Sequence, residues 1–221
     1  MGRLIEDPHL RDRSYVFTDR VHAGRLLAAM LGDYESSDAL VLAIPAGGVP
    51  VAYEITKNLK LSMDIIIVRK IQIPGNTEAG FGALGPDGEV IFNDMLLERL
   101  GLSEEEIQRQ VNMTKKVLAE RDLKFRGGRP FPDLRNRTVI LADDGLASGY
   151  TMSEAVRFSG RKKAGRIIAA VPTASESSVR LLLPLVDELY CLNIRGYPFA
   201  VAGAYEEWHD VSDEEVISLI R

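Results

Sequence analysis

The chain has 221 residues, 46% of them hydrophobic, and a formal net charge of −5. That is enough apolar material for one sizeable core, and the acidic balance argues against a broad nucleic-acid-binding field. A single cysteine, Cys191, excludes an intrachain disulfide, and three scattered histidines (His9, His22, His209) offer no zinc-ligand spacing. No apolar run is long enough to span a bilayer and no signal peptide is visible, so the expectation is a cytoplasmic protein.

Residues 18–31 predict a helix, with Val21, Leu27, Met30 and Leu31 on its apolar face. A strand is expected at 39–44, then the glycine-rich turn Ala46-Gly47-Gly48 and a helix over 49–59. A second strand is expected at 64–69, ending in Arg69 and Lys70. A long insertion, about 71–130, follows. It holds a hairpin around Pro86-Asp87-Gly88, helical stretches at 95–100 and 103–124 with a Ser103/Glu106 capping box, and a loop at 126–130. Strands at 138–142, 166–171 and 186–192 alternate with helices at 151–162 and 175–183, and a last helix starts at Ser212. Strand–helix alternation implies an α/β fold around a mostly parallel sheet buried on both faces.

The densest chemistry lies at 139–152. An apolar strand runs into Asp143 and Asp144, then Gly145-Leu146-Ala147-Ser148-Gly149, then a helix at Tyr150-Thr151. Two acids at a strand end can hold vicinal hydroxyls. Small residues at a helix start expose backbone N–H groups, and the positive end of the helix dipole favours an anion. Together they describe a pocket for a phosphorylated sugar. Asp-Gly also makes hairpin turns, and Thr151 with Glu154 reads as a plain capping box. The glycines fit neither a dinucleotide fingerprint nor a P-loop, which ranks a nicotinamide-dependent oxidoreductase low. Gly47 and Gly48 form a second anion loop, so a ligand with phosphates at both ends would suit the pair.

The stretch 139–152 resembles the ribose-phosphate signature of the type I phosphoribosyltransferases, and the segments at 18–20, 45–51, 68–70, 74–78, 126–130 and 213–216 resemble a bacterial and archaeal branch of unassigned substrate. The resemblance implies a five-stranded parallel sheet flanked by helices over about 36–192. It also implies a mobile loop within the insertion, with Gly75, Gly80 and Gly82 as hinges, and a hood from about 1–35 and 193–221. It implies transfer of a phosphoribosyl group from phosphoribosyl pyrophosphate (PRPP) to an acceptor nitrogen of a nucleobase. The alternative on the same fold is a non-catalytic PRPP or nucleotide sensor.

By resemblance Asp143 and Asp144 serve the ribose hydroxyls, residues 145–151 the 5′-phosphate, and Ala46, Gly47 and Gly48 the pyrophosphate, with a non-proline cis peptide expected within Ala46–Gly48. Ala46 stands where many relatives have a basic residue, and Arg69 and Lys70 are expected to supply that charge. Arg126 and Arg129 are expected to clamp pyrophosphate, and Phe199, Tyr205 and Trp208 to line a base pocket. Mg²⁺ is expected mainly on substrate oxygens, with Asp143 and Asp144 as candidate ligands. A homodimer is the family's usual form.

Overall fold

The computed structural model describes residues 2–220, with the side chains of Thr77 and Glu78 outside that description. The strands are β1 (Arg3–Glu6), β2 (Leu40–Ala43), β3 (Ser62–Ile65), β4 (Arg69–Ile73), β5 (Asn76–Leu84), β6 (Val90–Phe92), β7 (Thr138–Ala142), β8 (Arg166–Ser175) and β9 (Glu188–Arg195). The helices are α1 (Arg20–Met30), α2 (Gly48–Leu59), α3 (Asp94–Leu100), α4 (Glu104–Arg126), α5 (Tyr150–Arg161), α6 (Glu176–Leu182) and α7 (Asp213–Ile220). A short 3-10 turn spans Val201–Ala204.

The main sheet has the order β1-β9-β8-β7-β2-β3 and every pairing is parallel. It therefore has six strands rather than the expected five. The extra one, β1, comes from the N-terminal segment and pairs with β9 in the register Arg3↔Glu188 to Glu6↔Cys191. Its four-residue pattern, Arg-Leu-Ile-Glu, is too short to show a period. Val41, Leu42 and Ala43 in β2 and Val139, Ile140, Leu141 and Ala142 in β7 are fully buried, as expected of a sheet covered on both faces.

The expected strand 64–69 divides in two. Ile66, Ile67 and Val68 are buried, but they carry the chain from β3 to β4 in a separate antiparallel sheet, β4-β5-β6. An unbroken apolar run hides that change of sheet. The second sheet is joined to the core by Ile71, Phe81, Ala83 and Leu84, all buried. In α1 the buried stripe is Ala23, Gly24, Leu27 and Ala28, with Val21 and Met30 at its edges. Ser103 and Glu106 form the expected capping box of α4, and Ser212 and Glu215 form one at α7.

Candidate functional site

Following the chain from β2, the main sheet grows outward to β3 on one side and from β7 through β8 and β9 on the other. The reversal falls between β2 and β7, which pair as Ala43↔Ala142. In open α/β sheets the crevice beyond the strand ends at such a point is the ligand site. Both glycine-bearing loops open there. The loop after β2 carries a cis peptide at Pro45–Ala46, one bond ahead of the expected Ala46–Gly48 stretch. A Cβ on Gly48 would lie 2.6 Å from the Ala142 carbonyl oxygen and 2.8 Å from Asp143 Cα, so the two loops touch through glycine.

β7 ends at Ala142, which frees the acidic pair from strand alternation. The loop beyond is held by the extension of β8. Leu146 N–H donates to Thr173 O (2.9 Å), Ser175 N–H donates to Leu146 O (3.0 Å), and Ser175 Oγ donates to Ala147 O (2.8 Å). Leu146 is thereby excluded as an anion donor: its amide is committed and its side chain is buried in the core. The start of α5 is different. Its N-cap, Gly149, sits at φ 79°, a left-handed geometry suited to glycine, and no side chain caps the helix. The amides of its first turn are those that lack intrahelical acceptors. Thr151 and Glu154 do not form the expected capping box. Glu154 is instead fully buried and accepts from Arg161 Nη2 at 2.6 Å.

A cavity of about 430 Å³ lies over this loop. Its floor is Asp143 and residues 145–152, one edge is Val201, and its other wall is Lys70, Ala79, Gly80 and Gly82 of the antiparallel sheet. Gly145 has a packing reason here. A Cβ on it would lie 2.6 Å from Val201 Cγ1 and 2.9 Å from Thr173 Cγ2. Gly80 and Gly82 are close-approach positions: Lys70 crosses Gly80, and the Ile91 carbonyl abuts Gly82. Gly75, at φ 76°, does lie in the β4–β5 turn. A larger hollow of 620 Å³ runs along exposed side chains of α4 and receives none of these loops.

The two acids differ. Asp143 lines the cavity. Asp144 turns toward Gly47, where a Cβ would collide with its carboxylate, and accepts from Arg20 Nε at 2.9 Å. The Arg20 side chain is 6% exposed and that of Asp144 14%. Burial pushes both carboxyls above the usual range. Asp143 stands well above it, since Asp144's charge adds to desolvation, whereas Arg20 offsets the rise at Asp144.

Sequence reasoning missed Arg20. The segment 18–20 stood out only by resemblance, with no role for Arg20, because its partner lies 124 positions away.

Other expected site residues are elsewhere. Arg126 is not a loop cation: it ends α4, is 4% exposed at its side chain, and is paired with Asp64 (3.3 Å) and Asp122 (3.4 Å). Arg129 is exposed, donates to the Arg126 carbonyl, and does not line the cavity. Arg69 does not line the cavity; burial lowers its pKa, and the charges of Arg121 and Asp213 act on it. Tyr205 is buried against Phe17, and its hydroxyl donates to the Asp144 carbonyl at 2.6 Å. Trp208 stacks on the Arg20 guanidinium at 3.9 Å, and Phe199 stands over Arg195 at 5.7 Å. These three aromatics do not line the 430 Å³ cavity.

Residues 20–184 match the model of the phosphoribosyl transferase domain. Two Mycobacterium tuberculosis proteins, from strains CDC 1551 / Oshkosh and ATCC 25618 / H37Rv, are provisionally named phosphoribosyl transferases. Each is 33% identical to this chain over 205 residues, covering 93% of it and 46% of its own length. The chain thus spans about half the length of these curated relatives. The crystal structure of TT1426 from Thermus thermophilus is 33% identical, with a TM-score of 0.75 over 92% of this chain and 97% of that one.

Proposed function

The chain belongs to the phosphoribosyl transferase family, and from that premise we propose that it transfers the 5-phosphoribosyl group of PRPP to a nucleobase nitrogen. The bond from C1′ to pyrophosphate oxygen breaks, the bond from C1′ to the acceptor nitrogen forms, and the acceptor gives up a proton. The observation that carries this reading is the cavity in which Asp143, the uncapped start of α5 and Lys70 meet.

Amides from Ala147 to Thr151, with the hydroxyls of Ser148 and Thr151, bind the 5′-phosphate at the positive end of α5. The loop Ala46-Gly47-Gly48 brings backbone to the pyrophosphate. Lys70 supplies the positive charge that Ala46 lacks. It reaches the cavity because Gly80 lets its side chain pass across β5. Asp143 accepts from a ribose hydroxyl, and its charge, drawn out by the ligand, stabilises the positive ribose of an oxocarbenium-like transition state. Positioning supplies most of the rate in such a site.

Mg²⁺ would neutralise the leaving pyrophosphate. The residues fit an ion held chiefly by substrate oxygens and water: Asp143 is available on the cavity, while Asp144 is already held by Arg20. In this reading the core carries the two loops, the insertion walls the cavity, and the terminal segment contributes Val201 at one edge; residues 3–6, expected in the hood, are instead a strand of the main sheet.

Pyrophosphate release from PRPP and Mg²⁺, screened against purine and pyrimidine bases, tests the reading. Base-dependent release that disappears in Asp143→Asn supports it. Tight PRPP binding with no release for any base would favour the sensor alternative.

A further inference from the structure

Arg20 stands where three parts of the molecule meet. Its Nε donates to Asp144 Oδ2 at 2.9 Å, its Nη1 donates to the His209 carbonyl at 2.8 Å, and its guanidinium lies 3.9 Å from the Trp208 ring centre. The backbone of Asp144 is fixed from the same side, since Tyr205 Oη donates to its carbonyl at 2.6 Å. The terminal segment 205–209 therefore grips both Asp144 and the arginine that holds it. Gly47 comes closest to the same oxygen, Oδ2, and leaves just enough room for it. The carboxylate is thus clamped between the terminal segment and the loop after β2, while Asp143 alone lines the cavity.

A buried guanidinium with one carboxylate, one carbonyl and one aromatic face is fully oriented. Its planar fork and its stacking surface are both in use, and lysine supplies neither. Such an arrangement does more than neutralise a charge. It sets where Asp144 points, and through Gly47 it sets how closely the second anion loop approaches the acidic pair.

We propose that Arg20 is a positioning residue that keeps Asp144 turned against Gly47, so that Asp143 is the acid that meets the ribose and Asp144 acts by shaping the pyrophosphate loop. The proposal rests on the transferase reading for its functional meaning. It divides between two residues a role the sequence assigns to both alike.

Three variants and two readouts test it. Arg20→Gln removes the charge, Arg20→Lys keeps the charge without the planar fork, and Asp144→Asn removes the partner. Calorimetric titration with PRPP and Mg²⁺ gives the Kd without any acceptor, and steady-state kinetics with a base gives kcat and KM. Arg20→Gln and Asp144→Asn are each expected to raise the PRPP Kd, and kcat/KM falls on the order of a hundredfold, the scale of a small misplacement in a positioned site. Arg20→Lys recovers part of that loss. The double variant is no worse than the poorer single, because both changes act through one carboxylate.

Additive losses, or an Arg20→Gln protein with unchanged PRPP Kd and KM, overturn the proposal. A crystal structure of Arg20→Gln, or of Arg20→Lys if the first does not fold, reads the geometry directly. The Asp144 carboxylate is expected to leave Gly47, and an unmoved carboxylate refutes the positioning role. Should the wild-type protein bind no PRPP, the transferase reading falls, and the position of Asp144 in the variant still decides the role of Arg20.

Discussion

Arg161→Met removes one member of a charge cluster built around the buried Glu154, which joins the antiparallel sheet to α5. Arg161 ends α5 and makes a two-pronged contact with Asp87, at 2.8 Å on each side, in the turn between β5 and β6. Its Nη2 also donates to Glu154 Oε1 at 2.6 Å. Glu154 is 0% exposed, and its other oxygen, Oε2, has no hydrogen-bond partner among the described residues. The Gly85 backbone packs against the same carboxylate. Removing the guanidinium thus strands a buried carboxylate, a change that costs about 3–5 kcal/mol in comparable pairs.

The lower end applies, because Arg161 is 35% exposed and water screens part of its charge. At this chain length about 3 kcal/mol lowers Tm by roughly 6–12 °C. Burial already raises the Glu154 pKa in the intact protein, and loss of Arg161 raises it further. A carboxyl raised in the folded state favours folding when protonated, and that contribution disappears as pH climbs through the folded pKa. The variant is therefore closest to wild type in mild acid and furthest from it at pH 8. Thermal melts at pH 5 and pH 8 measure this, with Glu154→Gln/Arg161→Met as control. Equal Tm losses at the two pH values, or a pH dependence that survives in the double variant, would refute the reasoning.

Other expectations follow from single contacts. Gly145→Ala places a methyl 2.6 Å from Val201 Cγ1 and should cost about 1–3 kcal/mol by overpacking, with Val201→Ala restoring most of it in urea titrations. Gly149→Ala meets a left-handed φ of 79° and a contact of 3.1 Å to Ser178 Cβ. It should weaken binding of ribose 5-phosphate as well as PRPP, because both carry the 5′-phosphate. Lys70→Met should weaken PRPP about tenfold, the loss of one charged phosphate contact, and leave ribose 5-phosphate binding unchanged by calorimetry. Asp143→Asn should reduce turnover while leaving Tm equal or higher, since a carboxyl whose pKa is raised by burial and then by the charge of Asp144 favours a neutral side chain; a lower Tm would contradict the described environment.

The segment 138–152 was legible because its information is local: an apolar strand, two acids and glycines stand in a row, and β7 spans the expected 138–142. Helix ends marked by Ser103 and Ser212 were legible for the same reason. What the sequence concealed is long-range. Arg20 and Asp144 meet only in the folded chain, as do Gly145 and Val201. At Arg126 the helix end lies later than the loop expected at 126–130. Gly127 and Gly128 do mark a stop, but Gly127 is the left-handed cap at φ 61°, so Arg126 still belongs to the helix and is drawn inward to Asp64. The boundary between β3 and β4 was invisible because Ile66, Ile67 and Val68 are buried whether the chain continues a strand or crosses between sheets.

The measurement that bears most directly on the central claim is a calorimetric titration of the wild-type protein with PRPP and Mg²⁺, repeated with ribose 5-phosphate and with Asp143→Asn. The account predicts saturable PRPP binding, tighter than that of ribose 5-phosphate because both loops are used, and lost or greatly weakened in Asp143→Asn. Binding of PRPP no tighter than ribose 5-phosphate, or unaffected by Asp143→Asn, would contradict it.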